Sequence, residues 1–202
     1  MFIVKICGIT NEEDARAALD SGANALGFNF YRKSPRYIQP ARAGEILQRL
    51  SGDFLRVAVF VNPSVEEMAA IAGPLGCEIV QLHGEACPQQ APPPFRIWRS
   101  LTAFSSPPAK DSAIDAYLLD APSDGFGGSG KPIDWKLAAS FPYRKIVAGG
   151  LDASNVAAAI EATVPYGVDA CSRLESRPGK KDVQRIRAFV REAFAAAAQE
   201  TL

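Results

Sequence analysis

The chain has few of the residues that mark several common classes of protein. It has one histidine, four cysteines and equal numbers of basic and acidic residues, 22 each, among 202 residues. No C-x-x-C pair or Cys/His cluster has the spacing of zinc ligands, and four cysteines in a chain of this length do not make a disulfide framework. We therefore expect reduced thiols and no metal.

Runs of like charge and long apolar runs are also missing. Without a basic stripe, neither nucleic acid nor an anionic membrane is an expected partner. No apolar run approaches the ~20 residues that a membrane span needs, and Lys5 interrupts the start where a signal peptide would have its apolar region. We expect a cytoplasmic protein that binds a small molecule and folds as one domain over residues 1–202.

Short apolar runs alternate with helical patterns along the whole chain. The predicted strands cover 3–7, 24–28, 56–61, 78–82, 95–101, 116–120, 145–149 and 167–171. The predicted helices cover 11–21, 41–50, 64–73, 134–139, 152–162 and 181–198, with weaker candidates at 86–91 and 105–113. Gly22, Gly76 and Gly167 each follow a helical pattern, and we expect them to end those helices.

This alternation predicts βα units and a parallel sheet. Eight such units close most naturally into a single (β/α)8 TIM barrel. A doubly wound sheet is the alternative, but Cys7-Gly8-Ile9-Thr10 after the first strand is not the glycine-rich dinucleotide fingerprint.

The first strand ends in a cysteine, at the carboxyl end where α/β proteins keep their chemistry. Because side chains alternate along a strand, Lys5 lies beneath Cys7 on the same face. Cys7 is either a general base or a small buried hydrophobe. An unpaired Lys5 inside a barrel would be costly, so we expect it to pair with Asp169 on the adjacent last strand.

Asp120 ends the sixth strand, after an apolar run that gives a carboxylate no ordinary reason to be there. A desolvated carboxyl group at that position suits a general acid, and this interpretation is favoured over an acid that caps a helix or braces a loop. The glycine-rich residues 125–130 follow it. They lack the phosphate-loop spacing, and we interpret them as a lid.

Two loops are suited to binding a phosphate. Gly149 and Gly150 follow the seventh strand, and Ser172 and Arg173 follow the eighth. In TIM barrels these two loops are the usual phosphate site, and glycines let backbone N–H groups approach an anion closely. The alternative is that Gly149-Gly150 only makes a tight turn.

Two further residues are weaker candidates. Arg36 follows the second strand, where a guanidinium can grip a carboxylate with two hydrogen bonds, although most loop arginines are simply solvated. His83 ends the fourth strand and is either a base or a hydrogen-bonded structural residue.

Taken together, the motifs resemble the phosphoribosylanthranilate isomerase family. The matching segments span nearly the whole chain in order: Lys5-Ile6-Cys7-Gly8-Ile9-Thr10, Ser34-Pro35-Arg36-Tyr37-Ile38, Ile79-Val80-Gln81-Leu82-His83-Gly84, Leu119-Asp120 with Gly127-Gly128-Ser129-Gly130, Ala148-Gly149-Gly150-Leu151 and Gly167-Val168-Asp169. The resemblance implies an Amadori rearrangement of N-(5′-phosphoribosyl)anthranilate in tryptophan biosynthesis, without a cofactor.

The resemblance also implies roles for particular residues. Asp120 is the general acid that opens the ribose ring, and Cys7 is the general base that removes the C2′ proton. Arg36 holds the anthranilate carboxylate. Gly149, Gly150 and the Ser172 loop hold the phosphate.

The chain departs from the family's pattern after Gly167-Val168-Asp169. Small residues and a glycine are usual there, whereas this chain has Cys171-Ser172-Arg173-Leu174-Glu175. Arg173 either adds a cation to the phosphate site or points outward.

Two other functions remain as alternatives. One is the sugar-phosphate isomerase of histidine biosynthesis, although that family has aspartate where Cys7 stands. The other is a non-catalytic barrel that binds a phosphorylated ligand, which would need neither Cys7 nor Asp120. Both a monomer and a homodimer are compatible with the sequence.

Overall fold

Eight parallel strands form a closed barrel in which each strand neighbours the next in sequence and β8 returns to pair with β1. The computed structural model describes residues 1–88, 90–92, 94–121 and 133–199. The barrel strands are β1 (Ile3–Cys7), β2 (Ala25–Asn29), β3 (Leu55–Val61), β4 (Ile79–His83), β5 (Arg96–Leu101), β6 (Ile114–Leu119), β7 (Lys145–Val147) and β8 (Gly167–Ala170). The predicted TIM barrel is confirmed.

Helices cover the outside of this barrel. They are α1 (Glu12–Asp20), α2 (Pro40–Gln48), α3 (Val65–Ala72), α4 (Trp135–Ala139), α5 (Val156–Thr163) and α6 (Val183–Gln199). The weaker helix predictions at 86–91 and 105–113 are wrong, because the described residues of both segments form no helix. Pro107 and Pro108 explain the second case, since proline has no N–H to donate and clashes with a preceding helical turn.

The apolar residues form two layers that the barrel wall separates. The outer layer lies between the strands and the helices and includes Phe28, Leu119 and Phe189, each at most 5% exposed. The inner layer fills the lower barrel around Trp98, which is fully buried. Above it, at the carboxyl ends of the strands, the inward side chains become polar, and this end of the barrel carries the site.

The glycine predictions had mixed outcomes. Gly22 follows α1 with a φ of +97°, and its N–H donates to the carbonyl of Leu19, so the helix ends there as expected. Gly167 does not end α5, because Val164 takes the left-handed conformation at that position. A Cβ on Gly167 would lie 2.5 Å from Cβ of Ile3, so this glycine instead allows β8 to approach β1.

A small hairpin follows β8 and extends over the carboxyl end of the barrel. A 3-10 turn (Ser172–Leu174) leads into β9 (Glu175–Arg177), which pairs antiparallel with β10 (Lys180–Lys181). The buried carboxylate of Asp14 on α1 accepts hydrogen bonds from Nζ of Lys180 at 2.8 Å and from the backbone N–H of Lys181 at 2.7 Å. These contacts fix the hairpin against the first turn of α1.

Candidate active site

A buried ion pair forms the floor of the site. Nζ of Lys5 donates to Oδ1 of Asp169 at 2.7 Å, and the Lys5 side chain has no exposed surface. Burial disfavours the ammonium, but the charge of Asp169 outweighs it and raises the pKa of Lys5 above its ordinary value. The expected pairing across the closing strands is confirmed, and Lys5 stays charged beneath Cys7.

Two thiols lie side by side above this pair. Ile6 is in register with Ala170, so Cys7 and Cys171 follow at the same level on adjacent strands. The two side chains share a hydrogen bond, and this bond together with burial raises the pKa of Cys7 well above its usual value. The same bond, supported by the charges of Lys181 and Arg36, lowers the pKa of Cys171 to about 6. The thiol predicted as the base thus has a partner in a second, more acidic thiol.

Asp120 lies at the carboxyl end of β6, as the sequence predicts. Its Oδ1 accepts a hydrogen bond from the backbone N–H of Ala121 at 2.8 Å. Burial raises the pKa of its carboxyl group to about 6, and the charge of Asp169 adds to this effect. A carboxyl group in this state carries a proton that it can donate near neutral pH.

A small polar cleft separates the acid from the thiols. Its lining includes Asp120, Ala148, Gly149, Gly150, Leu151, Asp169, Ala170, Cys171, Ser172 and Arg173. Gly149 and Gly150 have φ values of +82° and +59°, which glycine adopts easily. Because β7 and β8 lie between β6 and β1, the two predicted phosphate loops meet between Asp120 and Cys7.

Arg173 lies at the rim of this cleft. Its Nη1 donates to Oδ2 of Asp152 at 2.8 Å, and about two fifths of its side chain is exposed. The guanidinium is therefore at the phosphate loops but already bound to a carboxylate.

Arg36 is held firmly at the opposite side of the thiols. Its Nε and Nη2 donate to the two carboxylate oxygens of Glu175 at 2.8 and 2.7 Å. The buried Nζ of Lys181 donates to the same carboxylate at 3.1 Å and lies 3.5 Å from Sγ of Cys171. A Cβ built on Gly8 would lie 2.8 Å from Cδ of Arg36 and 2.9 Å from Sγ of Cys171, which shows how closely the arginine approaches the thiols.

His83 is buried at the end of β4. The amide Nε2 of Gln81 donates to Nε2 of His83 at 2.8 Å, because an amide nitrogen donates and does not accept. Burial lowers the pKa of the imidazole to about 4, so the ring is neutral near neutral pH and is a weak base. Of the two interpretations, the hydrogen-bonded histidine agrees with this geometry.

Three residues of this cluster were not singled out from the sequence. Glu175 and Lys181 come from the hairpin, and Cys171 comes from the end of β8. Because side chains alternate along β8, the sequence places Cys171 on the same face as Asp169, and this alternation could have identified Cys171. The glycine-rich residues 125–130, predicted as a lid, lie outside the described residues.

Gly27 on β2 leaves the space that Cys7 and Lys5 occupy. A Cβ there would lie 2.8 Å from Sγ of Cys7 and 3.0 Å from Nζ of Lys5. We expect Gly27→Ala to displace the thiol and lower kcat by about tenfold to a hundredfold, since small misplacements of reacting groups are costly. Steady-state kinetics measure this, with Gly44→Ala as the control because its Cβ meets only Leu75 at 3.4 Å. Equal kcat values for the two variants would contradict the expectation.

Two observations on the described residues concern metal binding and membrane-spanning helices. Within the described ranges, no group of three or more histidine, cysteine and acidic side chains is arranged to hold a metal ion. Over the same residues, no helix is both long and apolar enough to cross a membrane.

The closed barrel and its polar carboxyl end define an enzyme of the (β/α)8-barrel class. The model of the N-(5′-phosphoribosyl)anthranilate (PRA) isomerase family matches residues 4–192. The chain belongs to this family, and it is an isomerase of tryptophan biosynthesis. This decides against the two alternatives that the sequence left open.

Individual relatives agree with this assignment. The N-(5′-phosphoribosyl)anthranilate isomerase of Solibacter usitatus is 46% identical over 202 residues, which cover 96% of this chain and 98% of that protein. A crystal structure of monomers of the dimeric phosphoribosylanthranilate isomerase of Thermotoga maritima has a TM-score of 0.78 at 32% identity, covering 96% of this chain and all of that one. A phosphoribosylanthranilate isomerase solved with reduced 1-(o-carboxyphenylamino)-1-deoxyribulose 5-phosphate has a TM-score of 0.77 at 33% identity and the same coverage.

Proposed function

We propose that this chain converts N-(5′-phosphoribosyl)anthranilate into 1-(2-carboxyphenylamino)-1-deoxyribulose 5-phosphate, with Asp120 as the general acid and Cys7 as the general base. The observation that carries this assignment is the order of the strands. The acid on β6 and the thiol on β1 flank the glycine loops after β7 and β8, so a substrate whose phosphate binds those loops reaches both groups.

The first step uses the raised pKa of Asp120. Its carboxyl group donates a proton to the ring oxygen of the ribose as the bond from that oxygen to C1′ breaks. The electron pair of the anthranilate nitrogen forms a C=N bond to C1′, and the open-chain iminium results. Asp120 is left as a carboxylate that the N–H of Ala121 stabilises.

The second step uses the thiol. Cys7 takes the proton from C2′, and the electrons of that C–H bond form the C1′=C2′ double bond of an enolamine. Ketonisation then adds a proton at C1′ and releases the proton of the C2′ hydroxyl. Hydrogen only moves within the substrate, so the reaction needs no cofactor.

The remaining polar residues bind the two ends of the substrate. Glu175 occupies Nε and Nη2 of Arg36 and holds the guanidinium in place, and we assign its remaining Nη1 edge to the anthranilate carboxylate.

Because Arg173 is bound to Asp152, we assign the phosphate chiefly to the backbone N–H groups of Gly149, Gly150 and Ser172, with Arg173 adding charge at the rim. We also assign His83, as a neutral ring, to substrate binding. Lys5 and Asp169 support Cys7 from below.

The test of this proposal is the loss of substrate fluorescence when the purified chain meets freshly made phosphoribosylanthranilate. Cys7→Ala is expected to lower kcat by at least about a hundredfold, because a general base contributes that much or more. Cys77→Ala is the matched control, since Cys77 is a buried thiol that precedes β4 at the other end of the barrel. Turnover by Cys7→Ala at the rate of the control would remove Cys7 from the mechanism.

The compartment is a further proposal. We assign this chain to the cytoplasm, since Cys7 and Cys171 lie side by side as free thiols and a reducing compartment prevents their oxidation to a disulfide.

A further inference from the structure

The two thiols at the mouth of the barrel lie in a small cluster of buried charges. The groups that face them are Lys5 from β1, Asp169 from β8, Arg36 from the loop after β2, Glu175 from β9 and Lys181 from β10. His83 on β4 is neutral, and Asp120 after β6 carries its proton up to about pH 6.

The charges of this cluster do not cancel. Among the described groups whose charges act directly on the thiols, three are cations and two are carboxylates, because Glu175 binds both Arg36 and Lys181 while Asp169 binds Lys5. Asp120 lies across the cleft from the thiols and is not counted with them. A buried excess cation is costly unless an anion balances it. One thiolate shared between Cys7 and Cys171 supplies that charge.

The position of Lys181 indicates which sulfur carries the negative charge. Its Nζ has no exposed surface and lies 3.5 Å from Sγ of Cys171, and it also donates to the carbonyl oxygen of Cys171 at 3.1 Å. Cys7 has Lys5 beneath it, but Lys5 donates to Asp169 at 2.7 Å, a closer pair than that of Lys181 with Glu175 at 3.1 Å, and Cys171 has a second cation, Arg36, beside it. Cys171 is therefore the better-stabilised thiolate, and the proton of the pair lies mainly on Cys7.

We propose that Cys171 is a positioning residue for the isomerase reaction, which acts through Cys7 by sharing one proton with it. When Cys7 takes the C2′ proton of the substrate, the S–H bond that it already has breaks and that proton passes to Cys171. One C–H bond and one S–H bond break, two S–H bonds form, and the electron pair of the C–H bond enters the substrate. This inference rests on the proposed role of Cys7 as the base.

The pair also explains how a buried thiol works near neutral pH. An isolated thiol has a pKa of about 8.5 and is mostly protonated at pH 7. With Cys171 present, the pair loses its first proton with a pKa of about 6. The pair is then ready to accept a proton over the whole neutral range.

Cys171→Ser tests the inference, because a serine keeps the size and a hydrogen-bonding group but does not ionise. Because Asp120 still titrates near pH 6 while Cys7 then ionises only at about pH 8.5 or above, we expect kcat/KM at pH 7 to fall about thirtyfold or more and its alkaline limb to move from about pH 6 to about pH 8.5 or above. An alkaline limb that stays near pH 6, or an unchanged kcat/KM at pH 7, overturns the proposal. Cys171→Ala should show the same shift, and thermal unfolding checks that both variants fold.

A spectroscopic measurement separates this inference from the function on which it rests. The ultraviolet absorbance of the thiolate should rise in the wild type by one equivalent near pH 6, and this step should be absent in Cys171→Ser. Cys77→Ser is the matched control, because burial raises the pKa of Cys77 to about 12 and its loss leaves the step near pH 6 in place. Persistence of the step in Cys171→Ser overturns the inference. Full turnover by Cys7→Ala overturns the role of Cys7 itself, whatever the absorbance shows.

Discussion

Asp120→Asn is expected to abolish turnover and at the same time to stabilise the fold. The N–H groups of an amide are far too weakly acidic to transfer a proton to the ring oxygen, so ring opening loses its acid. We expect kcat to fall by about 10⁴, the upper end of what a general acid contributes, because an unprotonated alkoxide is a poor leaving group. The amide oxygen still accepts the hydrogen bond that Asp120 receives from Ala121, so the loop after β6 keeps its contact.

The gain in stability follows from the raised pKa of Asp120. Its carboxyl group has a pKa of about 6 in the folded chain against an ordinary value of 3.8, mainly because burial disfavours the charge. The folded state therefore holds this proton more tightly than the unfolded state does. The cost to stability is absent below about pH 3.8, grows as the pH rises to about 6, and is complete above that.

At pH 7 this cost is about 2–3 kcal/mol, because each tenfold difference in proton affinity between the folded and unfolded states corresponds to about 1.4 kcal/mol. Asparagine avoids this cost. Denaturant unfolding of wild type and Asp120→Asn at pH 7 and at pH 4 measures the difference. The variant should be more stable at pH 7, and the two should nearly coincide at pH 4. A variant that is less stable than the wild type at pH 7 would show that burial of the ionised Asp120 carboxylate does not destabilise the fold.

Lys5→Met is expected to have the largest effect on stability. Methionine fills a similar volume, but it leaves the carboxylate of Asp169 buried without its cation at 2.7 Å. Removing one partner of a buried ion pair costs about 3–5 kcal/mol, because the remaining charge is uncompensated. The free energy of unfolding, measured with denaturant near neutral pH, reports this loss.

Two further variants serve as controls for the Lys5→Met measurement. Arg42→Met breaks an ion pair with Glu45 in which about half of each side chain is exposed, and it should cost less than about 1 kcal/mol. The double variant Lys5→Met with Asp169→Asn removes both charges and should recover much of the loss. A double variant no more stable than Lys5→Met would show that packing of the lysine stem, and not its charge, stabilises the floor of the site.

Local patterns in the sequence were sufficient to predict the barrel and the positions of its principal groups. Apolar runs located all eight strands, and the two-residue alternation of side chains placed Cys7 above Lys5. The pairing of Lys5 with Asp169 followed from closure of the barrel and is confirmed at 2.7 Å. The roles of Cys7 and Asp120 in catalysis stay predictions that kinetics must test.

Contacts between distant loops could not be predicted in this way. Arg36 and Glu175 are 139 residues apart, and their two hydrogen bonds depend on a hairpin whose strands have only three and two residues. Strands this short have no alternation to detect. The closeness of Cys7 and Cys171 likewise required the register of β1 against β8, which follows from closure of the barrel and not from either strand alone.

Because the barrel closes by pairing β1 with β8, the ribosome must synthesise the chain as far as β8 before the active site can form. Lys5 is synthesised before its partner, and the carboxylate of Asp169 is added 164 residues later. Until then β1 has an unpaired edge and a lysine without its counterion, although the chain already contains Cys7, Arg36 and Asp120. α6, which follows β8 in the chain, packs on α1, α5 and β1 and covers this seam. A nascent or truncated chain that stops before β8 therefore has most of the catalytic groups and no active site.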